Sequence, residues 1–454
     1  MTFRLTAPCH FGLEKTLSFE VRRIGGEYIA VSDGRVTFTG DERVLIRANM
    51  CLSTAERVGI LLSEFRARTF EELFQGVKAI PIEKYVGKFD RFPIKGFSLN
   101  SKLTSVPACQ KIIKKAMVER MKSVYKIGYF QETEALFQFR FSIMKDNVTM
   151  TLDTSGEGLH KRGYRRFSNA APIKETLAAG IADLARIRDN DIVCDPFCGS
   201  GTLLIESALK ALNIPPCLDR EFTAMQWEFL PKEMWDEERE ALRANIRKPE
   251  NFKLYGFDID PEAVRLTRDN AVKAGVGEYI EVKQRDVADF TYPEGCTVVL
   301  CNPPYGERML DEEQAHELYK VMGKRLLPTD SRRLFVITPD GEFEELFGFA
   351  ESLGLDALCE AHTEGEISML ASAGAKIIGV NCRNLKNFET DFERVGTLIK
   401  LVPQECVKVS ESAIGSRETL LKAGEYGADA ALIGSELMRA SSPADRLLQL
   451  LGKK

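Results

Sequence analysis

Residues 191–212 read DIVCDPFCGSGTLLIESALKAL. The apolar run Ile192-Val193-Cys194 meets Asp195, a turn follows with glycines at 199 and 201, and Thr202 opens a stretch with helical apolar spacing. A strand, a glycine turn and a helix in immediate succession are the nucleus of a βα unit. Glycines at such a turn let the backbone approach a ligand at the helix N-terminus. Two phosphate loops compete for this reading. The third glycine of the dinucleotide fingerprint would fall at Leu204, and no Gly-Lys-Ser/Thr follows, so neither fingerprint is complete. The remaining rival is a purely structural strand-to-helix turn.

Outward from this unit, KLYGFDID (253–260), YIEVKQRD (279–286), TVVLCNPP (297–304) and RRLFVITPD (332–340) are apolar runs followed by helix-like stretches or turns. From about residue 170 the chain therefore predicts a parallel, doubly wound, Rossmann-like sheet. A glycine loop without phosphate chemistry suits the amino-acid end of S-adenosylmethionine, with Asp195 near its ammonium and Thr202 at the helix start. Asp258, closing its strand, is placed for two ribose hydroxyls, and Ile259 for packing on adenine. Asp260 before Pro261 reads as a helix N-cap with proline in the first turn. Asp286 in RDVADF reads either as an acceptor for the adenine amine or as a surface-turn carboxylate.

Cys301-Asn302-Pro303-Pro304-Tyr305 ends another apolar strand. An exocyclic base amine is a poor nucleophile because its lone pair is delocalised into the ring. The Asn302 oxygen and the Pro303 carbonyl would accept its two N–H bonds and aim the nitrogen. Pro303 and Pro304 fix that backbone, and Tyr305 would stack on an extruded base, a contact worth ~1–3 kcal/mol. A sulfonium is already a good leaving group, so positioning, which supplies up to ~7–11 kcal/mol, would carry the reaction. Asn-Pro-Pro alone is also a common turn. Its order behind DPFCGSGT and GFDID favours the catalytic reading.

Upstream, EKTLSFEV (14–21), EYIAVSDGRVTFTG (27–40) and STAERVGILLSEF (53–65) read as short strands with a helix, and ALFQFRFSIMKDNVTMTLDTSG (135–156) as a hairpin turning at Lys145-Asp146-Asn147. Residues 1–160 are thus expected to be α+β. The net charge of -5 hides an asymmetry: residues 81–130 carry eleven Lys/Arg against three Asp/Glu. Lys111, Lys114, Lys115 and Lys122 recur at helical spacing, and KRGYRR (161–166) follows. A basic module in an acidic chain points to a polyanion, with Lys102, Lys111, Lys114, Lys115, Arg162, Arg165 and Arg166 as RNA contacts. A solvated helix face is the alternative.

The 454 residues, 28% charged and 44% hydrophobic, exclude a disordered or collagen-like chain and suggest about three domains. No apolar run is long enough for a membrane helix, and no signal peptide is read at the start. Eleven scattered cysteines without a CxxC pair, and only four histidines, argue for the cytoplasm and against disulfides or a metal centre.

Residues 1–348 resemble the THUMP-domain class I RNA methyltransferases that make N2-methylguanosine, particularly the bacterial 23S ribosomal RNA enzymes. The likeness is carried by FPIKGFSLNSKLTSVPACQKIIKKAM, RGYRRFSNAAPIKETLAAGI, DPFCGSGTLLIESAL, NIPPCLDREFTAMQW, GFDIDPEAV and CNPPYGER, in family order. It implies a ferredoxin-like/THUMP RNA-binding module over 1–160 and a methyltransferase domain over 161–348 that lacks the family's terminal β-hairpin. It also implies S-adenosylmethionine as cofactor and ribosomal RNA as partner. Lys174 and Glu175 belong to the motif that packs beside the cofactor pocket.

Residues 349–454 resemble instead the C-terminal half of indole-3-glycerol-phosphate synthase, through LCEAH, GAKIIGVNCRNLKNFETD, VKVSESAIGSRE and GADAALIGSELMRA. Four βα units in this tail predict a (β/α)4 half-barrel. The resemblance implies Glu360 as strand-end carboxylate, Asn381 and Arg383 lining the site, and Glu411 and Ser412 at the next strand end. Gly434 and Ser435 would hold the phosphate of a small molecule at a helix N-terminus. The lyase's general-acid lysine belongs to the first half-barrel, which has no counterpart here, so lyase activity is not expected of the tail alone. A phosphate-binding or packing role is the other expectation.

Overall fold

The computed structural model describes residues 1–165, 172–304, 312–326, 332–337, 358–372, 375–381, 392–411, 414–433, 436–437, 440 and 442–452. The chain begins with β1 (Phe3–Pro8), α1 (Glu14–Arg23), β2 (Glu27–Ser32), β3 (Arg35–Gly40), α2 (Glu42–Cys51), β4 (Gly59–Arg66), α3 (Phe70–Lys78), β5 (Ile94–Leu99), α4 (Val106–Tyr125), β6 (Phe139–Met144) and β7 (Asn147–Asp153). These strands form one seven-stranded sheet in the order β2-β3-β1-β4-β7-β6-β5. The helix among the opening segments is EKTLSFEV. Leu17 and Val21 bury themselves one turn apart, and helical spacing outweighs the strand preference of Phe and Val.

Local chemistry fixes several boundaries. Asp41 caps α2 by accepting from the Val44 N–H at 2.9 Å. Thr69 and Glu72 make a capping box on α3. Ser105 caps α4, whose buried Cys109, Ile113, Ala116, Met117 and Met121 mark one face over its full length. Lys145 and Asp146 both have positive φ, 50° and 66°, the two-residue hairpin geometry whose twist suits flanking strands. The hairpin turn thus falls where the sequence places it.

Next come α5 (Glu175–Leu184), β8 (Ile192–Asp195), α6 (Thr202–Ala211), α7 (Lys232–Arg243), β9 (Lys253–Asp258), α8 (Pro261–Lys273), β10 (Ile280–Gln284), β11 (Val298–Cys301), α9 (Glu312–Arg325) and β12 (Arg333–Val336). The five strands order as β10-β9-β8-β11-β12, with β11 parallel to both β8 and β12. Strand order reverses beside β8, and in such sheets ligands bind at the carboxyl ends around the reversal. Asp195, Asp258 and Asn302 stand at strand carboxyl ends.

The tail alternates β13 (Leu358–Ala361), α10 (Glu364–Ser372), β14 (Ile377–Asn381), α11 (Phe392–Leu398), β15 (Val407–Glu411), α12 (Arg417–Glu425), β16 (Ala430–Leu432) and α13 (Pro443–Leu451). Its strands pair in sequence order, all parallel, as successive barrel strands do. One sheet face is packed by buried Cys359, Ala361, Ile378 and Val380 with helix residues Ile367, Leu370 and Val395.

By packing, the chain forms two compact units: Met1–Ile192 with Cys198–Gly256 and Asp260–Val282, and Val193–Phe197 with Phe257–Ile259 and Lys283–Lys454. In the first, Phe137 stacks on Trp227 with centroids 4.8 Å apart, and Trp227 donates its indole N–H to the Leu136 carbonyl at 2.9 Å. The NIPPCLDREFTAMQW segment is thereby part of the seven-stranded module's own core. Among the described residues no helix is long and apolar enough to cross a membrane.

Candidate active site

In the first unit, Gly201 has φ 80° and caps α6, while Gly199 has φ 54°. A Cβ on Gly201 would lie 2.7 Å from the Thr267 methyl, so the turn requires glycine both for its dihedral and for its closeness to α8. Two α8 side chains brace the loop. Thr267 donates its hydroxyl to the Gly199 carbonyl at 2.8 Å, and Asn270 donates its amide to the Ser200 carbonyl at 2.9 Å. Both are buried. Sequence reading passed over them, although they sit three residues apart on the apolar face of a helix, where polar residues need partners. Asp260 accepts from the Glu262 N–H and caps α8, as its Asp-Pro spacing predicts.

Thr202 is buried at the start of α6, near the Ser200 hydroxyl at 3.2 Å and accepting from Arg165 at 3.3 Å. Arg165 also pairs with Glu175 at 2.9 Å and donates to the Ile173 carbonyl, tying the APIKETL motif to α6. Lys174 lies 3.7 Å from Glu56.

In the second unit, Asp195 is 1% exposed and accepts from the Phe197 N–H at 2.9 Å. Burial pushes its carboxyl up to about 8, against that hydrogen bond, and nearby Asp258 adds to the push. A cation brought beside it would favour its ionised form. The Asp258 carbonyl, at the end of β9, accepts from the Arg285 N–H at 2.9 Å, and Ile259 is exposed beside it. Asp286 is exposed and accepts from the Ala288 N–H, so one of its oxygens caps a short turn. Cys301 is fully buried at the end of β11, and the Asn302 side-chain oxygen is buried without a hydrogen-bond partner among the described residues. Pro303 is buried and Pro304 half-buried. Tyr305 lies outside the described residues, as do Arg166, Arg383, Ser412, Gly434 and Ser435.

The basic residues divide. Lys102, Lys111 and Lys115 are exposed, whereas Lys114 is half-buried, paired with Glu132 at 2.7 Å. Arg162 corrects the sequence expectation: its side chain is 1% exposed, pairs with Glu206 and donates to the Leu159 and Ser53 carbonyls. Arg165 is likewise committed to Glu175. Both side chains are committed to carboxylates within the first unit, which leaves Lys102, Lys111 and Lys115 as the exposed members of the set. A local run of charge shows nothing of the carboxylates that fold against it.

In the tail, Asn381 donates to Glu360 at 2.7 Å, and His362 lies 2.9 Å from the same carboxylate. Glu411 is buried, and burial followed by Glu360's charge pushes it up to about 7. Gly379 makes room for it, since a Cβ there would fall 1.8 Å from the Glu411 carboxylate.

The sheet reversal fits a class I, S-adenosylmethionine-dependent methyltransferase carried with a THUMP-type RNA-binding module, and the comparisons with known proteins show that class. The RMKL-like methyltransferase domain matches residues 162–354, the RlmL ferredoxin-like domain 4–59 and the THUMP domain 67–153. A Bacillus subtilis protein named "Putative RNA methyltransferase YpsC" is 39% identical over 348 residues, covering 76% of this chain and 90% of that one. The chain belongs to this THUMP-containing RNA methyltransferase family.

A ribosomal RNA large subunit methyltransferase K/L of Photobacterium profundum is 32% identical over 326 residues, and the match spans 69% of this chain but only 45% of that protein. Among solved structures, a protein described as a predicted N6-adenine-specific DNA methylase from Listeria monocytogenes is 42% identical with TM-score 0.73, covering 79% of this chain and 92% of that one. SMU.472, solved complexed with SAH, is 34% identical with TM-score 0.72, covering 78% and 93%. Indole-3-glycerol phosphate synthase matches residues 309–450. That match begins well before residue 349 and overlaps the methyltransferase match.

Proposed function

We propose that this protein transfers a methyl group to the exocyclic N2 amine of a guanine in 23S ribosomal RNA, in the cytoplasm. The observation that carries the reading is the Asn302 side-chain oxygen, buried and without a partner among the described residues at the end of β11. An acceptor left unpaired inside a protein is costly unless a ligand satisfies it. An N–H of the target amine is such a ligand, and the Pro303 carbonyl would take the second. Once bound, S-adenosylmethionine supplies a methyl sulfonium. The protein's part is to orient: Asp195 offsets the ammonium, Gly199, Gly201 and Thr202 shape the loop, Asp258 takes the ribose, and Ile259 and Asp286 serve the adenine. Tyr305 is assigned to stacking on the base by motif position.

The proposed domain limits are 1–160 for RNA binding, 161–348 for methyl transfer and 349–454 for the half-barrel. The THUMP module and the relative named an RNA methyltransferase support RNA over the DNA adenine in the Listeria protein's description, since an Asn-Pro-Pro-aromatic motif serves either base. Incubation of the purified protein with isotope-labelled S-adenosylmethionine and undermodified ribosomal RNA tests the reading. Labelled N2-methylguanosine in the digested nucleosides is expected. Label in N6-methyladenosine alone would replace the proposed base.

A further inference from the structure

We propose that the sheet edge formed by β5 and the first turns of α4 seats single-stranded RNA, with one nucleotide in the groove between them and a neighbouring base stacked on Phe97. The groove has a volume of about 310 Å³ and is lined by Ile94, Pro107, Gln110, Lys111 and Lys114. That lies near the lower end of ligand-pocket sizes, about 300–1,000 Å³, the scale of one nucleotide.

Its walls divide by chemistry. Ile94 and Pro107 offer apolar contact. Gln110 spends an amide N–H on the Ile94 carbonyl at 3.2 Å, which fixes the side chain and leaves its oxygen to accept from a base edge. Lys114 is held by the Phe92 carbonyl at 3.1 Å and by Glu132, and lies 3.4 Å from the centre of the Phe92 ring. Its charge is offset locally. Lys111, one turn earlier and exposed, makes no hydrogen bond or ion pair among the described residues and is the charge a phosphate would meet.

Around the edge, β5 turns Lys95, Phe97 and Leu99 to the opposite face of the sheet, beside Arg140, Ser142 and Met144 of β6. Phe97 is 51% exposed, and Lys95 is exposed two residues before it. Arg140 on that face is committed to Asp153 at 2.6 Å, so Lys95 is the cation beside the ring. An exposed ring beside a lysine is a stacking platform for an unpaired base, whereas duplex bases keep their faces covered. Surface charge decides the occupant: Lys95, Lys102, Lys111 and Lys115 of β5, α4 and the loop between them are exposed, which favours a polyanion over a peptide strand added to β5.

The inference rests on RNA being the substrate. Its test is fluorescence anisotropy on the full chain, with a fluorescein-labelled single-stranded fragment of ribosomal RNA and the same fragment annealed to its complement. Phe97→Ala is expected to weaken single-strand binding about tenfold while leaving duplex binding unchanged. Lys111→Glu is expected to reduce the slope of log affinity against log salt by about one or more. Thermal melts confirm that these surface variants fold. If wild type methylates ribosomal RNA and both variants bind it as wild type does, the seat is overturned and the β5 edge is left to a protein strand. Equal binding of single strand and duplex overturns it as well. A wild type that neither binds nor methylates RNA overturns the proposed function itself.

Discussion

The Thr267 hydroxyl on α8 donates to the carbonyl of Gly199 at 2.8 Å, so a helix residue distant in sequence sets the shape of the glycine loop. Thr267→Val keeps the volume and removes the donor. Losing one such hydrogen bond at a half-buried carbonyl costs ~0.5–1.5 kcal/mol. Because the loop is then free to relax, cofactor affinity is expected to fall about five- to fiftyfold alongside a lowered melting temperature. Calorimetric titration with S-adenosylhomocysteine measures the first and a thermal melt the second. Unchanged affinity would separate the brace from the cofactor site.

Asp195 ties cofactor binding to pH. Its carboxyl is pushed up to about 8 in the folded protein, against about 3.9 for an unfolded aspartate. The neutral form is the one the fold prefers. Its stabilising contribution is complete below about pH 4 and is lost as pH rises through about 8. A cationic ligand prefers the ionised form, so cofactor affinity is expected to tighten as pH climbs toward 8, with proton release on binding. Asp195→Asn should flatten both dependences and be more stable than wild type near pH 9, while binding the cofactor weakly. Titrations in two buffers of different ionisation enthalpy read the released proton.

Arg162 and Glu206 form a buried pair in which Tyr164 also donates to Glu206 at 3.0 Å. Removing one partner strands the other charge, a loss of ~3–5 kcal/mol. Arg162→Ala is therefore expected to lower the melting temperature sharply. At temperatures where the variant is still folded, the salt dependence of its RNA binding should match wild type. A reduced salt slope there would return Arg162 to the RNA-contacting set.

What the sequence shows and what it hides follow one physical line. The glycine turn, the Asp260 cap and the Lys145-Asp146 turn are local, decided by dihedral preference and hydrogen bonds within a few residues. The commitment of Arg162 is hidden because its partner, Glu206, lies 44 residues on, in α6. The one hint was an acidic residue set inside the apolar run LLIESAL. Thr267 and Asn270 escape for the same reason, since their partners lie near residue 200. EKTLSFEV shows the limit of propensity, with strand-favouring Phe and Val wound into α1 by the buried spacing of Leu17 and Val21.

Asn302 separates binding from chemistry. Its oxygen is buried without a hydrogen-bond partner among the described residues, and the proposed role is to accept from the target amine and not from the cofactor. Asn302→Ala is expected to abolish methyl transfer while leaving S-adenosylhomocysteine affinity within about twofold, since deleting one acceptor disturbs positioning, worth up to ~7–11 kcal/mol. Asn302→Asp, which keeps an acceptor, should retain measurable turnover. Nucleoside mass spectrometry and calorimetry on the same preparations distinguish the two effects, and full turnover by the alanine variant would remove Asn302 from the reaction.

Gly379 and Glu411 test whether the tail's carboxylate cluster is a packed feature of its sheet. A Cβ at 379 would fall inside the Glu411 carboxylate, so Gly379→Ala overpacks the sheet at a cost of ~1–3 kcal/mol. Glu411→Gln keeps the same shape and should not relieve that clash. Glu411→Ala removes the clashing atoms, so the double variant Gly379→Ala, Glu411→Ala is expected to be more stable than the sum of its single changes by ~0.5–3 kcal/mol. Burial and the charge of Glu360 push Glu411 up to about 7, so its neutral form stabilises the sheet below about pH 4 and this contribution is lost as pH rises through about 7. Glu411→Gln should accordingly gain stability over wild type above pH 7 and not below pH 4. Denaturant titrations of the full chain, followed by a probe placed in the tail, give all these values. Strictly additive single and double variants would mean that Glu411 turns away from Gly379 in solution.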